Sequence, residues 1–214
     1  MASGGLTYAQ MVSMLRLQSA RAFKEDARYT QDLIGIFVNA AYHEIDRKLR
    51  WTRCTYDITT VADQVEYIVP SSVREYLHVE YEDEEDTLSE LLAIDFHDWT
   101  EKKYYDEDSG TPQNYVQHGD RLYLYPPPEN AGDTVTIYTV AEPPSLADDD
   151  DKPGFPVHLH QLIVDQAAAY LHRAQGDLET YARLDNIVQG KLDEEAHGSA
   201  LKRGGSGRVM QRGA

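Results

Sequence analysis

Gly110-Thr-Pro-Gln-Asn-Tyr115, Leu122-Tyr-Leu-Tyr-Pro-Pro-Pro128, Val135-Thr-Ile-Tyr138, Pro144-Ser-Leu146, Asp148-Asp-Asp-Asp151, Phe155-Pro156 and Asp165-Gln-Ala-Ala-Ala-Tyr-Leu171 follow one another in this order. None of these pieces carries a residue set up for chemistry; their order is what decides the fold. Residues 113–117 and 121–125 read as short strands around His118-Gly-Asp120, and residues 134–141 as another. Pro126, Pro127 and Pro128 stop the pairing, because proline has no N–H to give a ladder. After the aspartate run the period changes from two to 3.6. Pro156 suits a first helical position, and Leu159, Leu162, Ile163, Ala167, Tyr170 and Leu171 form one face. Gly176 ends that helix as a C-cap residue, and Asp177 caps the next. The second helix presents Leu178, Tyr181, Leu184, Ile187, Val188 and Leu192, and its pattern fades at Gly198.

Toward the N-terminus, Thr7 and Gln10 form a capping box for a first helix that runs to about Ala22. A second helix begins near Thr30. Its apolar residues Leu33, Ile34, Phe37, Val38, Ala41, Ile45 and Leu49 share a face, and Arg47, Lys48 and Arg50 complement the dipole of its last turn. Residues 55–61 and 65–70 are β-branched and aromatic and read as a hairpin closed by Ala62-Asp-Gln64. Residues 73–82 form a further strand, and residues 88–94 carry a shorter one. Asp95 is placed to N-cap a short helix through Trp99.

The expected fold is α+β. A four-helix core, built from two N-terminal and two C-terminal helices, carries an inserted antiparallel β region and an extended C-terminal tail. The boundaries are residues 1–52 for the N-terminal helices, 53–147 for the insert, 148–198 for the C-terminal helices and 199–214 for the tail. Phe37, Ile45, Leu162, Ile163, Leu171, Leu184 and Val188 are the expected core between helices.

The chain has 214 residues and a formal charge of −17. Residues 80–108 hold thirteen acids against two lysines, and residues 199–214 hold four cations and no acid, so the body sits near −21. Phosphate backbones repel such a body, which argues against tight nucleic-acid binding. A surface that DNA must pass without sticking is the functional reading; solubility is the bland one. No apolar run approaches the roughly 20 residues of a membrane span, and the N-terminus lacks the pattern of a signal peptide. The single cysteine, Cys54, excludes a disulfide framework and fits synthesis in a reducing host cytoplasm.

Taken together, the Tyr67-Ile-Val-Pro70 strand end, Gly110-Thr-Pro112 with Tyr115, Leu122 to Pro128, Val135 to Tyr138, Pro144-Ser-Leu146 and Phe155-Pro156 before Ala167-Ala-Ala-Tyr-Leu171 resemble the head-to-tail adaptor (connector, or head-completion) proteins of tailed bacteriophages, and among them the podophage tail tubular protein A group. The likeness spans about residues 30–192. It implies a structural virion protein of the neck. Such a protein forms a homo-oligomeric ring, usually of twelve subunits, between the portal protein and the tail or nozzle proteins. Genomic DNA passes through the lumen without tight binding. It also implies that the C-terminal segment docks on the portal. Lys202, Arg203, Arg208 and Arg212 would pair with carboxylates there, with Val209 and Met210 in an apolar groove. The tyrosines Tyr104, Tyr105, Tyr123, Tyr125 and Tyr138 are the expected subunit or tail contacts, since tyrosine suits interfaces where one end stays wet.

Reactive readings are weaker. His158 and His160 lie two apart at a helix start, so they point roughly 200° away from each other and cannot chelate one ion unaided. Glu82 to Asp86 and Asp148 to Asp151 could hold a hard cation, but without EF-hand spacing they read as solvated loops. No nucleotide, zinc or hydrolase motif is present. No cofactor and no metal is expected, and Cys54 reads as a half-buried strand residue. The alternative function is a metal-dependent nuclease or hydrolase using the acidic loops, which Asp148→Ala would inactivate. A third is a host-side acidic interaction module, which would show no ring symmetry.

Overall fold

The computed structural model describes residues 5–23, 31–85, 87–105 and 108–204. These form five α-helices and two four-stranded sheets, in the order α1 (Tyr8–Phe23), α2 (Gln31–Leu49), β1 (Arg53–Thr59), β2 (Glu66–Ile68), β3 (Val73–Glu82), β4 (Leu88–Glu90), β5 (Leu92–Ala93), α3 (Phe96–Tyr105), β6 (Asn114–His118), β7 (Arg121–Tyr125), β8 (Thr134–Ala141), α4 (His160–Ala174) and α5 (Leu178–Gly204). The chain divides into a helical unit, residues 1–51 with 143–214, and a β unit, residues 52–142.

In the helical unit the capping box forms as read. The Thr7 amide donates to Gln10 Oε1 at 3.0 Å, and the Gln10 amide donates to Thr7 Oγ1 at 3.3 Å. The next two free amides of α1 find a partner that local pattern does not reveal. Tyr8 N donates to the Asp151 carbonyl at 2.8 Å and Ala9 N to the Asp149 carbonyl at 3.2 Å. The acidic run is therefore folded against the positive end of α1, where orphan donors and the helix dipole both favour it. The Asp151 carboxylate holds this loop closed by accepting from Ala147 N (2.8 Å) and Asp148 N (2.9 Å). Those two bonds hold its pKa below the usual aspartate value. Their contribution is present near neutrality and is lost as pH falls through the depressed pKa.

One apolar cluster joins Met11, Val12 and Leu15 of α1, Ile34, Val38, Ala41 and Ile45 of α2, Leu162, Ile163, Ala167 and Leu171 of α4, and Val188 and Leu192 of α5. Helix α4 touches α1, α2 and α5, and its Ala167, Ala168 and Ala169 are all buried. Of the expected core residues, Ile45, Leu162, Ile163, Leu171 and Val188 are buried, while Phe37 and Leu184 pack against the cluster partly exposed. Helix α5 departs from its sequence pattern. Leu178 and Ile187 of the expected face are 63% and 49% exposed; α5 packs mainly on α4, with fewer contacts to α2, so part of its apolar face stays uncovered. It also continues through Gly198 to Gly204, so the first part of the expected extended tail is helical. Backbone hydrogen bonds within the helix continue as long as each residue adds one, which a single glycine weakens by only about 1 kcal/mol.

Gly35 sits inside α2, where glycine is unfavourable by about 1 kcal/mol relative to alanine. A Cβ there would lie 2.0 Å from the Tyr8 hydroxyl oxygen, so the Tyr8 ring must shift if Gly35 is replaced. Gly35→Ala is expected to lower stability by on the order of 1 kcal/mol, overpacking outweighing the propensity gain. Urea unfolding followed by helical circular dichroism checks the sign: stabilisation would mean that Tyr8 swings aside at no cost.

In the β unit one sheet has the order β1-β8-β3-β4 and the other β2-β7-β6-β5. All pairs are antiparallel except β5 with β6. Tyr67, Val79, Tyr81, Leu122, Leu124, Val135 and Ile137 are among the inward residues that form its core. The expected hairpin of residues 55–61 with 65–70 does not form. Strand β1 pairs along its length with β8, and β2 pairs with β7 in the other sheet. The reason lies in the connection. Thr60 N donates to the Asp133 carbonyl (2.8 Å) and Asp63 N to the Pro128 carbonyl (2.8 Å), while Thr60 Oγ1 donates to the Asn130 carbonyl (3.2 Å). The turn is thus tied to residues 128–133 rather than closed on itself. Residues 88–94 also split, β4 joining one sheet and β5 the other around the buried Leu91.

Candidate interaction surfaces

Tyr123 and Tyr125 lie on one sheet and Tyr138 on the other. Tyr123 and Tyr125 alternate with the inward Leu122 and Leu124, so they lie on the outer face of their sheet, half-buried. Helix α3 covers part of that face. Asp95 Oδ1 caps it by accepting from His97 N at 2.8 Å, as the sequence predicts. Trp99 lies 4.7 Å from the Tyr123 ring, and Phe96 stacks on Trp99 at 5.4 Å and on His118 at 4.5 Å. Tyr123 is thus part of an aromatic group with Phe96 and Trp99. Tyr104 and Tyr105 fall in the last turn of α3, and their side chains lie outside the described residues. Tyr138 is on the outer face of the other sheet, between the inward Ile137 and Thr139.

That outer face is polar and acidic. Tyr138 donates to Glu80 Oε2 at 3.1 Å, which holds its hydroxyl pKa above the ordinary tyrosine value. His78 lies with Nε2 2.9 Å from Glu80 Oε1 and Nδ1 3.3 Å from Glu90 Oε1. Across β8, Thr136 donates to Asp57 at 2.9 Å. These bonds fix side-chain directions across the sheet face.

The acidic turn between β3 and β4 is organised by one of its own members. Asp83 Oδ1 accepts from Glu85 N and Thr87 N, both at 2.9 Å. Among the described residues, no three His, Cys, Asp or Glu side chains converge as a metal site. His160 is buried, its Nε2 3.0 Å from the Phe155 carbonyl, whereas His158 is 62% exposed and 3.5 Å from Glu195. They point apart as their spacing requires. Cys54 is half-buried with Sγ 3.1 Å from Thr139 Oγ1. Of the proposed portal-binding set, Lys202 and Arg203 fall within α5, with side chains outside the described residues. Arg208, Val209, Met210 and Arg212 also lie outside them.

Sequence reading missed a buried polar pair in the β core. The Tyr81 hydroxyl donates to Asp133 Oδ2, with the two residues 3% and 2% exposed. Burial first, and this hydrogen bond second, push the tyrosine pKa well above its ordinary value. Asp133 stands before a strand that begins Thr-Val-Thr, and nothing local distinguishes it from a turn aspartate.

No helix among the described residues is long and apolar enough to cross a membrane. A family model described as SU10 adaptor protein matches residues 6–211. No curated protein matches the chain.

Proposed function

Because the chain belongs to the SU10 adaptor protein family, we propose that it is a structural component of a phage neck, forming a ring between the portal and the tail. The family match across nearly the whole chain carries this reading. The ring has twelve subunits, the number that the resemblance to head-to-tail adaptors implies. It continues the DNA channel and offers the attachment site for tail or nozzle proteins. Its role is one of contact and passage, with no reaction of its own.

The charge distribution supports the passage of DNA. A body near −21 repels phosphate, and screening over about 8 Å means that only acids facing the lumen act on it. An image of the native assembly down its axis tests the ring and its symmetry, and a lumen positive along its whole length would overturn the repulsive channel.

The tail supports attachment. Helix α5 carries the chain to Gly204, and the remaining residues bring Arg208, Val209, Met210 and Arg212 to the portal, where guanidinium forks pair with carboxylates. Ordering such a segment costs about 1–2 kcal/mol per residue in backbone entropy, so the contact must be extensive. Truncation after Ala200 is expected to leave circular dichroism of the body nearly unchanged and to weaken joining to DNA-filled heads. Unchanged joining would show that the tail is not the anchor.

A further inference from the structure

Helix α1 is apolar on two sides. Met11, Val12 and Leu15 are buried in the helical core. On the opposite side Gln10, Ser13 and Leu17 share one stripe, with Leu6 just before it and Ala9 and Met14 on its flanks. These six residues line a shallow groove of about 370 Å³, and none of them is charged. Leu17 is 66% exposed. In a chain of formal charge −17, an uncharged outer helix face calls for a partner. Helix α5 carries a matching row. Arg183, Ile187, Gly190 and Glu194 repeat the spacing of Leu6, Gln10, Ser13 and Leu17, and all four are exposed. The two charges stand at the ends of the row. In its middle Ile187 projects beside Gly190, where an added Cβ would meet nothing within 4 Å.

The helical unit places these two faces apart. Among the described residues α1 and α5 each pack on both α2 and α4 without forming a packed pair of their own, so they flank the α2–α4 pair on opposite sides. They also run in opposite directions. A Cβ on Gly5 would lie 2.3 Å from His160 Cε1 at the start of α4, and His158 is 3.5 Å from Glu195 of α5. At the other end Leu15 and Gln18 of α1 border a cleft with Thr180 and Arg183 of α5. Gly5 is therefore level with Glu195, and Leu15 to Gln18 with Thr180 to Arg183. On that scale Ser13 is level with Ile187, and Gln10 with Gly190.

We propose that the α1 groove of one copy takes the Ile187–Gly190 stretch of α5 from the next copy, antiparallel, as a subunit contact of the ring. This rests on the ring reading. A heterologous contact joins two different faces, and a closed ring needs them on nearly opposite sides of the subunit. A ring of twelve turns each copy by only about 30° relative to the next, so the antiparallel direction found within one copy holds between copies. A step across the helices, with no shift along them, brings Ile187 over Ser13 and Gly190 over Gln10. The small Ser13 leaves room for Ile187, and Gly190 leaves room for the longer Gln10. Two copies this acidic repel each other. Both faces are uncharged at their centres, so the contact buries no like charges, in keeping with the depletion of charge at interface cores.

The test uses the full chain joined to DNA-filled heads. A variant carrying both Ser13→Cys and Ile187→Cys is treated with a short bismaleimide, and the unaltered chain, with Cys54 alone, sets the background. A ladder of dimers, trimers and larger species is expected, because each copy offers both faces. Gln10→Cys with Gly190→Cys is a second pair read in the same way. Ser13→Glu and Ile187→Glu, made singly, should each abolish joining. Both residues are exposed in one copy, so the urea midpoint of the free chain should not move. Products that stop at the dimer would mean that a face meets its own equivalent, and overturn the proposal. Joining of Ser13→Glu at the unaltered level overturns it too. Loss of joining by Ser13→Glu, with no ladder from either pair, assigns the groove to the portal instead and overturns it. A ring seen down the axis of the native assembly with no ladder removes this contact and leaves the ring standing, whereas an axial image without a ring removes both.

Discussion

Leu162→Ala lowers the stability of the helical unit by about 2–5 kcal/mol, the cost of a leucine truncation at a site that cannot collapse. Leu162 is 5% exposed and belongs to the apolar cluster. It projects from α4, the helix that contacts α1, α2 and α5. Those three neighbours are held by independent ties. Tyr8 N and Ala9 N of α1 are bonded to the acidic loop, Asn39 of α2 exchanges two bonds with the Leu146 backbone (2.7 and 2.9 Å), and Asp177 caps α5 by accepting from Thr180 N at 3.1 Å. They cannot all move inward to fill one void, so the lost contacts are not regained. Leu178→Ala provides the contrast, because Leu178 is 63% exposed and its loss should change stability by no more than about 0.5 kcal/mol. Urea unfolding followed by helical circular dichroism compares the two. A Leu162→Ala loss below about 1 kcal/mol would show that α4 is not the packed centre of the unit.

Tyr81→Phe destabilises the β unit by about 3 kcal/mol, more than the shape change alone would cause. The substitution deletes one oxygen and creates almost no cavity. What it removes is the hydrogen bond to Asp133 Oδ2. Asp133 is 2% exposed, and its Oδ1 already has no hydrogen-bond partner, so the variant leaves a buried carboxylate without a side-chain donor. An abandoned buried charge costs roughly 3–5 kcal/mol, where a neutral group costs about 1–3 kcal/mol. The double variant separates these causes. Adding Asp133→Asn to Tyr81→Phe removes the charge while keeping the shape, and should recover part of the loss. If it recovers nothing, the tyrosine hydroxyl acts through some other contact and the pair is not the source of the stability.

Much of the fold was legible in the sequence because much of it is local. The capping box at Thr7 and Gln10, the Asp95 and Asp177 caps, the turn at Gly176 with φ +83° and the β6–β7 hairpin each close within a few residues, where side-chain chemistry and backbone sterics act directly. The helical period of α2 and α4 is local in the same sense, since residues three and four apart share a face whatever that face meets.

The partners of those elements were decided only in three dimensions. The alternation in residues 55–61 and 65–70 marks which side chains turn inward, but any strand of matching pattern can supply the ladder. Strand β8, more than seventy residues away in sequence from β1, won that pairing because the Thr60 and Asp63 amides are drawn to the 128–133 segment. The four aspartates of residues 148–151 read as a solvated loop and became the cap of α1. Tyr123 and Tyr125 on one side and Tyr138 on the other were sent to the outer faces of two different sheets by a period of two and a change of sheet. Tyr81 and Asp133 form a buried pair only because β3 and β8 are neighbours. Local sequence sets conformation and which face is apolar; long-range burial, which is non-directional and rewards any well-packed surface, chooses what that face meets.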